Sequence, residues 1–289
     1  MALSRNHTGH RQSATAFTLV ELLVTMVILS ILAGLSLSGL AASRQRAKID
    51  KTKSTIRKLH EIVMPQYESY LSRRVAATGA ANRLAAVRLL MVQEMPDQWA
   101  DVYAVASLPA GATAPTRRYA AYKATLSTGS QWTARGATYE GAECLAMIVT
   151  RGGFAPDATE LFRTDEMGDI DGDGAPEFWD GWGRPIGYIR WPAGFSSFVQ
   201  QQNAATNPDP LDPMKVSGDY ALVPLIFSSG PNGATDDPMA TKSGYQASVT
   251  GGYLSAVITT TCGGTPLVGS IIDTDAARDN ITNHDLVTK

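Results

Sequence analysis

From Leu22 to Ala42 the chain carries no charged residue, and this run constrains what the remainder can become. At a helical rise of 1.5 Å per residue it spans about 31 Å, roughly the hydrocarbon thickness of a bilayer. A single carboxylate, Glu21, stands near the start of the apolar segment that opens at Phe17. An ionisable group costs about 2.5–3.5 kcal/mol at the centre of a membrane helix and less near its end. Glu21 therefore reads as functional and calls for a partner.

The order of parts argues against an ordinary secretory signal, in which the apolar region precedes the cleavage site and is removed. Here Met1–Ala16 is polar, with Arg5, His7, His10 and Arg11, and the apolar run follows it. The sequence Ala16-Phe17-Thr18-Leu19-Val20-Glu21-Leu22-Leu23-Val24 resembles the cleavage and methylation signal of type IV prepilins and type II secretion pseudopilins. The resemblance implies that a prepilin peptidase cuts between Ala16 and Phe17 and N-methylates the new terminus. Ala16 stands where that family usually has Gly. Glu21 then lies one turn from the new amine, where the helix dipole favours negative charge. Its own amine, or the Phe17 amine of a neighbouring subunit, neutralises it.

The same resemblance implies a single-pass protein of the bacterial inner membrane, with its leader in the cytoplasm and its head in the periplasm. Assembly would carry the head into a filament that can reach the cell exterior. The flanking charges alone point the other way. Arg44, Arg46, Lys48, Lys51, Lys53, Arg57 and Lys58 outweigh the leader, and a positive-inside count would put the C-terminal side in the cytoplasm.

Beyond the membrane the helix is expected to continue to about Leu71–Arg74. Ile49, Ile56, Leu59, Val63, Tyr67 and Tyr70 form one apolar stripe at spacings of seven, three and four. Pro65 should kink it. The expected plan is a leader over 1–16, a transmembrane and assembly helix over 17–74, and a globular head over 75–289. The fold class is α+β and pilin-like, with the long helix packed on an antiparallel sheet and loop-rich insertions. Within the head, helices are expected over Asn82–Glu94 and Gly141–Arg151, and a strand or short helix over Gln98–Leu108. Strands are expected over Pro185–Trp191, Tyr220–Phe227 and Tyr253–Thr261, and a polar surface loop over Gln200–Asp212.

Asp169, Asp171 and Asp173 alternate, Gly174 follows, and Glu177 and Asp180 come three and six residues later. This is the spacing of a calcium loop, with carboxylates at positions one, three, five, nine and twelve and Gly at six. Asp180 replaces the usual bidentate Glu, which shortens its reach. The site would hold a structural Ca2+. The alternative is an Asp/Gly turn whose carboxylates cap backbone amides. Cys144 and Cys262 leave room for one disulfide, which an oxidising periplasm permits, or for two buried thiols.

Asp180-Gly-Trp182-Gly183-Arg184-Pro185 is similar to the Asp-x-Trp-Gly-x-Pro segment with which major pseudopilins begin their sheet. Ser228-Ser-Gly230-Pro231-Asn232-Gly233, followed by Asp236 and Asp237, resembles the turn near their calcium-binding C-terminal loop. The segment Asp279-Asn280-Ile281 through Asp285 resembles their closing stretch. A second metal site would then comprise Asp236, Asp237, Asp279 and Asp285. The long segment from Pro238 to Arg278 separates its two halves.

Signals for catalysis or nucleic acid are weak. Outside the leader only His60 and His284 are present, without zinc spacing, and no nucleophile elbow or phosphate loop occurs. Paired carboxylates such as Asp165/Glu166 could suit a glycosidase, but adjacency in sequence says nothing of whether they face each other. With a net charge of −2 and no basic stripe in the head, no nucleic-acid partner is expected. The expectation is a non-enzymatic pseudopilin, processed by prepilin peptidase and polymerised with other subunits on an inner-membrane assembly platform. The alternatives are a type IV pilus subunit and a tethered, calcium-dependent binding module that never polymerises.

Overall fold

The fold is built around one helix, α1 (Leu19–Ser69), which a short 3-10 turn, Tyr70–Ser72, extends. The computed structural model describes residues 17–103, 108, 112, 114–126, 139–153, 158–232, 267–272 and 274–287. The chain divides into two compact units, Met1–Arg46 and Ala47–Lys289. The division falls inside α1, because from Ile49 onward the helix belongs to the packed head.

In the first unit every large apolar side chain from Phe17 to Leu40 is exposed. The helix is long and apolar enough to cross a membrane. Its Ser and Thr hydroxyls turn inward along the helix: Thr25, Ser30, Ser36 and Ser38 donate to carbonyls three or four residues back at 2.7–2.9 Å. They thus present no unpaired donor to an apolar surrounding.

In the second unit the expected stripe is realised. Ile56, Leu59, Val63, Tyr67 and Tyr70 are buried and Ile49 is partly buried. Pro65 lies inside α1 without ending it. The helices α2 (Ala80–Glu94), α3 (Trp99–Tyr103), α4 (Arg117–Thr125) and α5 (Glu140–Arg151) follow. A two-stranded antiparallel hairpin pairs β1 (Met167–Gly168) with β2 (Glu177–Phe178). A separate antiparallel sheet has the order β3 (Gly187–Ile189), β4 (Leu225–Ser228), β5 (Ile281–Thr282). Two short helices, α6 (Thr274–Ala277) and α7 (Asn283–Val287), flank β5. The result is a long apolar helix with small antiparallel sheets, an α+β fold of the pilin-like kind.

The junction between α1 and the head turns on Gly181. A Cβ there would strike the Lys48 backbone carbonyl, and the Gly181 N–H donates to Thr52 Oγ1 at 2.9 Å. Nearby, Lys51 reaches Asp165 at 2.7 Å and Lys58 reaches Glu166 at 3.0 Å. The carboxylates that might have suited a hydrolase thus face α1. Thr55 also donates to Glu166, at 3.0 Å.

Two arginines depart from the pattern of apolar-in, polar-out. Arg88, on the α2 face that Leu84, Val87 and Met91 help to bury, is itself buried and pairs with Asp209 and Asp219, both at 2.8 Å. Arg190, just past β3, pairs with Asp101 at 2.8 Å and Asp97 at 3.1 Å. The expected surface loop at Gln200–Asp212 is an irregular, mostly exposed segment, which Arg88 and the local backbone anchor at three points. Gln200, Asp209 and Asp212 are buried. The Gln200 amide donates to the Pro192 and Phe195 carbonyls and accepts from the Val223 N–H. Polar residues can enter an interior when each is met by a partner, and here Arg88 and the local backbone meet them.

The expected strands are shorter than anticipated. Pro185–Trp191 yields only Gly187–Ile189, buried on both faces. Tyr220–Phe227 yields Leu225–Ser228, while Tyr220 instead forms an isolated bridge to Pro208. Pro224 lacks the donor needed to carry β4 upstream. The third expected strand, Tyr253–Thr261, lies outside the described residues.

Candidate functional site

The N-terminal site is built by a helix cap. Thr18 Oγ1 accepts from the Glu21 N–H at 3.3 Å, and Glu21 Oε2 accepts from the Thr18 N–H and hydroxyl, both at 2.9 Å. This reciprocal exchange is a capping box. It draws the Glu21 carboxylate back over the first turn, beside the Phe17–Thr18 peptide. Phe17 is exposed, and Ala16, the other half of the expected cleavage pair, lies outside the described residues. Glu21 thus has an uncharged partner within its own chain, Thr18.

A family model described as the prokaryotic N-terminal methylation motif matches residues 11–37. The chain carries a type IV prepilin-like signal. Such a signal implies processing by prepilin peptidase and assembly with other pilin subunits. Joined to the exposed apolar helix, it fits a single-pass protein anchored in the inner membrane. No curated protein and no solved structure matches the chain.

The second site is the tip of the β1–β2 hairpin. Gly172 and Gly174 adopt φ values of 76° and 98°, a region that favours glycine. They allow the loop to curl over Asp169, whose carboxylate accepts from the Gly172, Asp173 and Gly174 N–H groups at 2.7–3.2 Å. Asp173 accepts from the Ala175 N–H at 2.8 Å. In this respect the loop is the amide-capping turn that was the alternative to a calcium loop.

A second grouping was not anticipated. Asp171, Glu177 and Glu143 of α5 each bring a carboxylate oxygen within 4.8 Å of the others, as do Asp169, Asp171 and Asp173. Glu143 and Glu177 are fully buried. Trp99 Nε1 donates to Glu143 Oε2, and the Ile170 N–H donates to Glu177 Oε2 at 3.1 Å. The other oxygen of each, Oε1, is buried and has no hydrogen-bond partner among the described residues. Burial, with Asp173 as the largest charge nearby, pushes the Glu143 carboxyl up to about 9. Burial pushes Glu177 up to about 8, against the Ile170 hydrogen bond and with the loop aspartates adding repulsion. Asp171 is also raised, by burial and by Asp173.

The sequence signal for Glu143 was available. It is a carboxylate inside the buried run Ala142–Val149 of α5, the same kind of anomaly that singled out Glu21.

The position-twelve ligand requires correction. Asp180 is outside both groupings. Its carboxylate accepts from the Trp182 N–H at 2.8 Å, the Arg184 N–H at 3.0 Å and the Ser228 hydroxyl at 2.6 Å. It closes the turn into β3, with Gly183 at φ 76° allowing the bend and Trp182 partly buried against the core. The reason is geometric. Position nine, Glu177, begins β2, and the chain then leaves the hairpin tip, so that position twelve falls beyond β2 in the turn where the Asp180 N–H meets the Arg184 carbonyl.

Of the second expected metal set, Asp236 and Asp237 lie outside the described residues. Asp285 is the acidic partner of Thr282 in a cap on α7, accepting from its hydroxyl at 2.8 Å and donating to it through the backbone at 3.2 Å. The Asp279 carbonyl lies where a Cβ on Gly230 would fall. Cys144 is a buried free thiol on α5, raised by burial and by the surrounding carboxylates. Cys262 lies outside the described residues.

Proposed function

We propose that the chain is a structural subunit of a type II secretion pseudopilus, polymerised through α1 to support protein secretion. The observation that carries the reading is the Thr18–Glu21 cap at the head of an apolar helix, inside a methylation motif. After cleavage before Phe17, the new amine would lie within one turn of Glu21. In a monomer the capping box holds the carboxylate on Thr18. In a filament the exposed side chains from Phe17 to Leu40 would pack against other helices, each fully buried side chain contributing roughly 1.5–3 kcal/mol. Glu21 would then exchange its local donors for the Phe17 amine of a neighbour, because a carboxylate buried in that bundle needs a charged partner.

The pseudopilus is preferred over an adhesive pilus for the Asp180–Pro185 segment. That segment resembles the one with which major pseudopilins begin their sheet; here it forms the turn into β3 and meets α1 at Gly181. The head would be periplasmic, and the partners would be prepilin peptidase, other subunits and an inner-membrane assembly platform.

The test compares the parent chain with Glu21→Ala in the producing bacterium, measuring membrane content, the sheared filament fraction and secreted protein. The variant should reach the membrane normally, be absent from filaments and depress secretion. Normal incorporation of Glu21→Ala into filaments overturns the reading.

A further inference from the structure

The chemistry at the hairpin tip does not close within the described chain. Glu143 comes from α5, Asp171 from the loop and Glu177 from the start of β2, so three separate segments converge. Their oxygens lie within 4.8 Å of one another, about twice a calcium–oxygen bond, so one ion can reach all three. Two of the carboxylates are fully buried, and each keeps one oxygen with no hydrogen bond among the described residues. A buried carboxylate without a partner is costly, and like charges this close cannot all ionise unaided.

We propose that Glu143, Asp171 and Glu177 hold a calcium ion that pins the β1–β2 hairpin to α5. The donors are carboxylates, with no imidazole or thiolate in the group, which selects a hard cation over zinc. Calcium accepts six to eight oxygens in irregular geometry, whereas magnesium demands a tight octahedron and keeps its waters. Backbone carbonyls and water would complete the shell. The loop's own hydrogen bonds pre-form the turn, and Asp169 serves chiefly to hold it. The ion therefore joins two elements rather than merely organising a loop, and the decisive ligand is the remote one, Glu143. This inference goes beyond the filament reading and stands independently of it. The competing occupant is a proton shared among the same carboxylates.

The test uses the full chain extracted in detergent and stripped with chelator, titrated with calcium chloride by calorimetry and melted with and without calcium. One ion per chain is expected, together with a calcium-dependent rise in melting temperature. Glu143→Gln should weaken binding by at least about tenfold, while melting no lower than the parent chain in the absence of calcium, because the amide keeps the shape of the carboxyl and its oxygen can still accept from Trp99 Nε1. Asp171→Asn, at an exposed loop position, should weaken binding likewise and guards against a folding failure in the first variant. Asp165→Asn, outside the group, should bind as the parent does. The absence of heat and of any melting shift up to about 10 mM calcium, beyond the range of weak extracellular sites, overturns the proposal in favour of the proton. Parent-like affinity in folded Glu143→Gln overturns it equally.

Discussion

Arg190→Met should be among the most damaging single changes in the head. Arg190 is wholly buried, and its guanidinium lies 2.8 Å from Asp101 and 3.1 Å from Asp97, with a further bond to the Met95 carbonyl at 2.8 Å. The Asp97 carboxylate also accepts from the Arg190 backbone N–H at 2.9 Å. These contacts fasten the end of β3 to the turn between α2 and α3. Methionine fills much of the same volume, so the packing loss is small and the electrostatic loss dominates. Two buried carboxylates would then face each other without a cation. Removing one side of a buried ion pair costs about 3–5 kcal/mol, a large fraction of a domain's roughly 5–15 kcal/mol of stability. The assay is urea denaturation of the full chain in detergent at pH 7, followed by tryptophan fluorescence, since the guanidinium carbon sits 4.4 Å from the Trp191 ring. Adding Asp97→Asn and Asp101→Asn to Arg190→Met should restore most of the loss. A loss below about 1 kcal/mol in the single variant, the scale of an exposed pair, would refute the reasoning.

Two further perturbations probe the head. His284 is buried, with Ser197 at 2.8 Å and the Pro224 carbonyl at 3.2 Å, and burial lowers it from 6.5 to about 4. Below pH 6.5 the unfolded chain binds a proton that the folded chain refuses, so this contribution is lost as pH falls from 6.5 towards 4, by about 3 kcal/mol. The stability difference between the parent chain and His284→Gln, measured across that window, should change by this amount, and parallel pH curves would contradict the assignment. Gly181→Ala would drive a Cβ into the Lys48 carbonyl, an overpacking cost of about 1–3 kcal/mol. A clear drop in melting temperature is expected, and an unchanged melt would show that α1 and the head do not meet there as described.

Long helices with an intact period were legible in the sequence, and elements set by remote partners were not. α1 and α2 could be read because apolar residues recur at helical spacing over three or more turns, and α5 because its run of apolar residues is long enough for a helix. α4 was passed over, though Thr116 accepts from the Tyr119 N–H as its cap and Tyr119 and Tyr122 bury one face. The strands were over-extended because their apolar runs continue into buried irregular backbone, where Gln200 and Asn283 side chains replace strand partners. Gln200 Oε1, for example, accepts from the Val223 N–H just upstream of β4 at 2.7 Å, and Asn283 Oδ1 accepts from the Ile226 N–H within β4 at 2.9 Å. At the N-terminus, Phe17 and Glu21 were legible from the motif, and the Thr-x-x-Glu box was present in the same letters. At the hairpin, Asp171 and Glu177 follow from loop spacing, whereas Glu143 stands on another element and only the fold brings it near. Asp180 obeyed the spacing and failed the geometry.

The most direct measurement is the intact mass of the chain after co-expression with its cognate prepilin peptidase and extraction from the membrane. The account predicts a product that begins at N-methylated Phe17, lacking Met1–Ala16. A mature protein that retains the leader, with the peptidase active on a control substrate, would contradict it and leave α1 as a plain membrane anchor.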